Sequence, residues 1–229
     1  MSHKTIVHNP EWIRKLYIEN KDKINNSLKT SYHFSYPSLL AFFSREVLTA
    51  DDVIAGIHMV YGWMPRVFSF YGRSKEMTER QNFEELFKKI SYVQMILNKA
   101  KSHVELISLE EIQTLKMLFG NSVVGTSKLL HFVQPERYAI WDSRVCAVFS
   151  GRNRISHAMA SNTVSFENYL KEMLVLVQTD EVREAVCDPV MASIRKHSEN
   201  AGNLELSRIT PLRALELILF SAGSDLNRQ

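Results

Sequence analysis

The chain has 229 residues and a formal net charge of +3 when its histidines are neutral. This length suits one large domain or two small lobes around a shared cleft. We find neither a signal-peptide core nor an apolar run long enough to span a membrane. We therefore expect a soluble, cytoplasmic, monomeric protein that contacts no membrane.

The cysteines and histidines give no indication of a metal site. Cys146 and Cys187 are the only cysteines, no CxxC occurs, and the eight histidines form no HExxH motif. This pattern argues against a disulfide scaffold and against a cysteine-based zinc site. We expect no metal and no cofactor.

The N-terminal half reads as a series of helices, because apolar residues recur at helical spacing. Asn9 and Pro10 form an N-cap and first-turn pair that begins the first helix. Pro37 begins the second. Thr49 caps a third, with acidic residues in its first turn, and the segment 61–65 ends it.

The same pattern continues to the C-terminal end. A strongly periodic stretch predicts a helix from Glu79 to about Lys101. A capping box over 108–111 begins the next helix, which Gly120-Asn121 ends. Further helices are predicted over 165–178, 180–200 and 209–222, with Pro189 kinking or splitting the second of them. We predict an all-α chain of about ten helices, forming a single unit over residues 1–229 in two lobes around a cleft.

The segment GTSKLLHFVQPERYAIWDSRV, residues 125–145, is the most informative stretch. Asp142 follows the apolar residues Tyr138, Ile140 and Trp141 there. A carboxylate leaves water only at a cost of several kcal/mol unless it is hydrogen-bonded or paired. Asp142 therefore caps a helix, takes part in chemistry, or does both.

Two predicted helices, 109–119 and 126–133, flank a short connection with a glycine at each end. Such a unit presents backbone N–H groups at the start of its second helix, where they and the helix dipole favour a phosphate. Thr126 and Ser127 add hydroxyl donors. An ordinary helix–helix corner is the alternative.

Basic residues form two clusters. Arg144, Arg152 and Arg154 follow Asp142 closely, and a second cluster is Arg195-Lys196-His197. Each cluster is either a solvated charged face or a surface that contacts phosphates.

The chain resembles the helix-hairpin-helix DNA glycosylase superfamily in the order of its elements. These are a helix, a hairpin, a second helix, a short loop and an aspartate that begins a further helix. Val123-Val124-Gly125-Thr126 matches the end of the family's hairpin. Ile140-Trp141-Asp142-Ser143-Arg144-Val145 matches its aspartate segment. The resemblance implies a helix-hairpin-helix unit over about 109–133 and a catalytic-aspartate segment over 138–149. It also implies that Asp142 is catalytic and that DNA is the partner, with the hairpin around Val123, Gly125, Thr126 and Ser127 holding backbone phosphate. The charge pattern adds Arg144, Arg152 and Arg154 as DNA-binding candidates.

The chain departs from the family pattern at several positions. Val123 replaces the first hairpin glycine, Ile140 replaces a proline, and Arg144 replaces a histidine. Bifunctional members carry a lysine in the helix after the hairpin. Ser127 falls at that position and Lys128 one residue later, about 100° around a helix. We therefore expect a monofunctional enzyme, with Lys128 as a secondary catalytic candidate.

Other residues are candidates for the base pocket. Tyr61, Trp63 and Met64 lie at a helix-breaking turn, where they either wedge into a duplex, line a pocket for the extruded base, or belong to the core. His131 is a candidate pocket residue or a hydrogen-bonded structural histidine. Trp141 lies beneath the pocket or simply packs in the core.

The resemblance implies a DNA glycosylase that flips a damaged or modified base out of DNA and hydrolyses its N-glycosidic bond, leaving an abasic site. A fixed carboxylate suits this reaction, because positive charge develops on the sugar in the transition state. DNA repair is one role. Excision of a bulky hypermodified base from phage DNA, resembling the anti-phage glycosylases in antiviral defence, is another. The alternatives are a non-catalytic helical DNA-binding module and a helical protein-interaction domain.

Overall fold

A computed structural model describes residues 8–27, 31–64, 79–118, 121–200 and 209–225. All regular secondary structure in these ranges is helical, which confirms the all-α prediction. In chain order the helices are α1 (Pro10–Ser27), α2 (Ser31–Phe42), α3 (Ala50–Trp63), α4 (Glu79–Ser102), α5 (Leu109–Leu118), α6 (Val123–Val133), α7 (Ser143–Ser150), α8 (His157–Ala160), α9 (Thr163–Gln178), α10 (Asp180–Val182), α11 (Asp188–Asn200) and α12 (Pro211–Ala222).

Local capping explains where several helices begin. Thr49 and Asp52 form a capping box at α3, in which the Asp52 N–H donates to the Thr49 hydroxyl and the Thr49 N–H donates to the Asp52 carboxylate. Ser108 and Glu111 exchange the same two bonds at α5. Thr210 caps α12. Each cap satisfies N–H groups that the first helical turn leaves without a partner.

Two predicted helix starts are wrong. Pro37 lies inside α2, which begins six residues earlier at Ser31. Burial of Tyr36 and Leu40 on both sides of the proline holds the helix together despite the missing N–H. Helix α6 begins at Val123 instead of Thr126, because Ser122 caps it by accepting the Gly125 N–H at 3.2 Å.

The helical run is irregular just before Pro189, where the sequence predicts a kink or a split. A π-helical turn over Arg183–Cys187 separates α10 from α11 immediately before this proline. Proline has no N–H to donate to the carbonyl four residues earlier, so the regular α-helical ladder is interrupted there.

The helices pack in two groups, which α5 and α9 join by direct contact. Helices α2 to α6 pack on one another, while α1, α7 and α9 to α12 form the second group, with α1 lying along α12. One continuous cluster of buried apolar side chains runs through both groups. The segment before α7 crosses from the first group to the second and carries Asp142. Among the described helices, none is long and apolar enough to cross a membrane.

Candidate active site

Asp142 is the N-cap of α7, with an extended backbone at φ −139° and ψ −176°. Its Oδ1 accepts the N–H groups of Arg144 and Val145, both at 2.9 Å. Its Oδ2 accepts no hydrogen bond from the residues that the structure describes, and the side chain is half-buried. The cap therefore fixes one carboxylate oxygen and leaves the second available to a ligand.

A buried clamp joins the segments that carry Asp142 and Lys128. The Trp141 N–H donates to the Ser127 hydroxyl at 3.0 Å, and that hydroxyl lies within donating distance of the carbonyls of Trp141 and Val124. Ser127 is fully buried. Because Asp142 follows Trp141 and Lys128 follows Ser127, the clamp places the two charged residues on adjoining segments.

The Lys128 side chain is half-buried and its Nζ lies 4.9 Å from the centroid of the Trp63 ring. The rings of Trp63 and Phe132 are nearly perpendicular, with their centroids 5.2 Å apart. The guanidinium carbon of Arg213 also lies 6.0 Å from the Trp63 centroid. An aromatic face attracts cations through its quadrupole, so Trp63 lies beside two basic side chains from different helix groups.

Arg213 is a buried cation that the sequence analysis missed. It donates to the Glu216 carboxylate, and its guanidinium carbon lies 5.0 Å from the centroid of Tyr36. Burial lowers the pKa of the Arg213 guanidinium, and Tyr36, Tyr169 and the charge of Asp142 oppose that shift. Asp142 and Arg213 are therefore close enough to interact electrostatically.

A sequence feature points to this pair. Within the apolar helix PLRALELILFSA, Arg213 and Glu216 are the only charged residues and are three positions apart. Side chains at that spacing lie on one helix face, where they can pair. By contrast, nothing in the sequence marks Tyr36 or Tyr169, whose proximity to Arg213 results from packing between distant segments.

Of the two alternatives for His131, the structure favours the hydrogen-bonded structural histidine over the base-pocket residue. Its Nδ1–H donates to the Tyr138 carbonyl at 2.6 Å, and its Nε2 accepts from the Tyr36 hydroxyl at 2.8 Å. Burial lowers the pKa of His131 to about 3, and the charge of Arg213 acts in the same direction. His131 is a neutral histidine of the core, with both ring nitrogens occupied.

The predicted phosphate contacts at the start of α6 also need correction. Val123, Gly125, Thr126 and Ser127 are all buried. The Thr126 hydroxyl donates to a main-chain carbonyl at 3.0 Å, as the Ser127 hydroxyl does within the clamp. These side chains therefore cannot reach a phosphate. A contact through main-chain N–H groups of the first turn of α6 stays a prediction.

The wedge candidates separate into two kinds. Tyr61 is buried against Gly125, where an added Cβ would lie 3.0 Å from the tyrosine hydroxyl. Trp141 is fully buried and its indole N–H donates to the Ala160 carbonyl at 2.8 Å. Tyr61 is therefore a core residue, the last of the three alternatives for it, and is not placed to enter a duplex. Packing of Trp141 beneath a base pocket stays a prediction. Trp63 and Met64, at the end of α3, are half-buried, and their contact with a base stays a prediction.

The first basic cluster lies on and after α7. Arg144 is half-buried, with its guanidinium carbon 4.7 Å from the Phe220 centroid. Arg152 and Arg154 are exposed in the segment between α7 and α8. The second cluster lies on α11, where the first two residues are exposed and the side chain of the third, His197, lies outside the described part.

Comparisons of the chain with protein-family models, with curated proteins and with solved structures find no match. Among the described residues, no group of three or more histidine, cysteine, aspartate or glutamate side chains is placed to hold a metal ion. The site consists of a partly fixed carboxylate, two basic side chains and an aromatic ring at the junction of the helix groups.

Proposed function

We propose that the protein is a monofunctional DNA glycosylase, in which Asp142 is the catalytic carboxylate that acts on a base flipped out of DNA. The observation that supports this most directly is the asymmetry of the carboxylate. Two main-chain N–H groups hold Oδ1, while Oδ2 accepts no hydrogen bond from the described residues. The cap thus holds the carboxylate in place, and its second oxygen is available to a sugar or to a water molecule.

The chemistry of N-glycosidic hydrolysis fits such a group. The base leaves with the bonding electrons, and positive charge develops on the sugar until water adds to the anomeric carbon. A fixed carboxylate stabilises this charge more than it stabilises the neutral ground state, and only such differential stabilisation accelerates the reaction. An Oδ2 directed at the sugar can also accept the proton of the attacking water.

The surroundings of Asp142 support a preorganised role. The N-cap bonds and the Ser127–Trp141 clamp hold the carboxylate before any substrate arrives. Preorganised charge needs no rearrangement during the reaction, which is the usual source of its effect. The basic side chains that follow Asp142 in sequence would contact the phosphates on either side of the flipped nucleotide.

The decisive experiment is Asp142→Asn, an isosteric change at the carboxylate. DNAs carrying different damaged or hypermodified bases, phage DNAs among them, are incubated with the protein and assayed for abasic sites. We expect base release to fall by about 10²–10³ or more, because the stabilising charge is lost. Folding and DNA binding should persist, since asparagine caps helices about as well as aspartate.

A matched control is the reverse substitution, asparagine to aspartate, at the N-cap of another helix. Asn162 caps α9 by accepting the Ser165 N–H at 2.8 Å, and it is exposed. Asn162→Asp should leave base release unchanged. Full activity in a folded Asp142→Asn protein would falsify the assignment.

The cap itself favours a second candidate, a non-catalytic helical DNA-binding module in which Asp142 only begins α7. That protein would bind DNA and form no abasic site on any of the DNAs.

The same panel of DNAs addresses the biological role of the enzyme. Release of ordinary lesions supports DNA repair, and release of bulky phage modifications supports antiviral defence. In either role we propose a cytoplasmic monomer.

A further inference from the structure

Arg213 has more hydrogen-bonding capacity than its surroundings use. It is 6% exposed, and the only side-chain acceptor that it meets among the described residues is Glu216. A guanidinium carries several N–H donors in a planar fork and no acceptor. Within the described part, Ser221 Oγ is the only fully enclosed side-chain polar atom without a hydrogen bond. The remaining nitrogens of Arg213 are therefore not completely enclosed, and a narrow opening leaves them available to a ligand.

The Arg213 guanidinium lies where the two helix groups meet. Tyr36 and Trp63 of the first group flank the guanidinium at 5.0 and 6.0 Å from their ring centroids. Asp142 of the second group interacts with Arg213 electrostatically. A ligand held here would meet a carboxylate at one end, N–H donors at the other and an aromatic ring beside it. A flipped nucleotide fits this order, with its sugar toward Asp142 and its base toward Arg213.

We propose that Arg213 is the residue that selects the flipped base. The inference rests on the proposed function and specifies its substrate class. A guanidinium fork matches two neighbouring acceptors, such as O6 and N7 of a purine, and it offers nothing to an exocyclic amino group. The selected substrates are therefore 6-oxopurines, namely guanine, hypoxanthine and their modified forms. Adenine presents an amino group at the corresponding position and is disfavoured.

Glu216 is a positioning residue in this arrangement. Its carboxylate accepts from one guanidinium nitrogen and fixes the plane of the fork. It also compensates the buried charge, since an isolated guanidinium would not tolerate such burial. The fork is thus held in one orientation before the base enters.

The test measures binding and not base release, so it is separate from the test of catalysis. Two DNA duplexes carry one unpaired base in a bulge, hypoxanthine in one and adenine in the other. The two bases differ mainly at C6, where hypoxanthine carries an oxygen and adenine carries an amino group. Binding to the Asp142→Asn protein is measured by fluorescence anisotropy. We expect the hypoxanthine duplex to bind about 10-fold more tightly.

Two variants test whether Arg213 causes this preference, both in the same Asp142→Asn background. Arg213→Lys keeps the charge and removes the fork. Arg213→Met combined with Glu216→Leu removes the buried pair as a unit, a change that folded proteins often tolerate. Both should bind the two duplexes equally while keeping affinity for fully paired DNA.

Several results would overturn the inference. Equal binding of the two duplexes by the protein with Arg213 intact refutes it without any variant. A preference retained in either folded variant assigns base selection to another residue. Failure of the proposed catalytic function gives a different result. In that case the protein would still bind the hypoxanthine duplex more tightly, but no DNA would acquire abasic sites.

Discussion

The imidazole of His131 connects α2 to the segment before α7 and makes folding sensitive to acid. Its folded-state pKa of about 3 lies below the ordinary value of 6.5, because the ring is buried. The unfolded chain therefore takes up a proton first as the pH falls. The stability that this group contributes is complete above about pH 6.5 and is lost progressively as the pH falls toward about 3.

We predict that the unfolding free energy falls more steeply with acid in the wild-type protein than in His131→Gln. Between about pH 7 and about pH 5, the difference in this loss should be about 2 kcal/mol. Urea unfolding of both proteins at the two pH values measures it. The carboxylates and the other histidines titrate in both proteins, so their contributions to the pH dependence of stability cancel in the comparison. Parallel losses would show that His131 is not buried in its neutral form.

Lys128 is expected to act as a cation and not as a nucleophile. Its Nζ lies over the ring of Trp63, a contact made by a charged ammonium, whereas a Schiff base requires the neutral amine. We predict that borohydride traps little or no covalent protein–DNA adduct. Strong trapping that disappears in Lys128→Ala, while Lys171→Ala, at an exposed lysine of α9, still traps, would contradict this prediction and identify a lyase.

At the scale of single elements, α3 contains two glycines with opposite surroundings. An added Cβ at Gly56 would overlap the buried ring of Phe43, whereas one at Gly62 meets no atom within 4 Å. Gly56→Ala should therefore destabilise the protein by about 1–3 kcal/mol through overpacking. Gly62→Ala should stabilise it by about 0.5–1 kcal/mol, because alanine loses less entropy in a helix. Thermal unfolding compares the two variants, and a stable Gly56→Ala protein would show that α2 and α3 are not packed as described.

Helix starts set by short-range hydrogen bonds could be predicted from the sequence. The caps at Thr49, Ser108 and Thr210 were predicted because cap and N–H group are three residues apart. The start of α2 could not be predicted in this way, since tertiary burial keeps Pro37 inside the helix. The early start of α6 depends on Ser122, a cap with no glutamate or glutamine following at the box position.

At the scale of the whole molecule, the candidate site could be predicted only in part. Asp142 could be identified as a candidate from the sequence, because a carboxylate that follows an apolar run needs a hydrogen-bond donor or a cation nearby. The guanidinium of Arg213 and the ring of Tyr36 meet across a long sequence separation, and no local pattern encodes such a contact. The same holds for the Ser127–Trp141 clamp, which converts the residue at the expected lysine position into a structural one.

The proposed DNA surface includes the exposed arginines after α7, and its charge makes a testable prediction for the intact protein. Binding to undamaged duplex should weaken steeply with salt, because each neutralised phosphate contributes a log–log slope of about −0.9. The double variant Arg152→Gln, Arg154→Gln should flatten that slope by roughly 1.8 units if both residues contact phosphates. The double variant Arg195→Gln, Lys196→Gln removes the same charge from α11, outside the proposed surface, and should leave the slope nearly unchanged. Because the two variants have equal net charge, equal flattening would mean that the protein responds to total charge and has no defined DNA surface at α7. A flat salt response in the unmodified protein would argue against any function on nucleic acid.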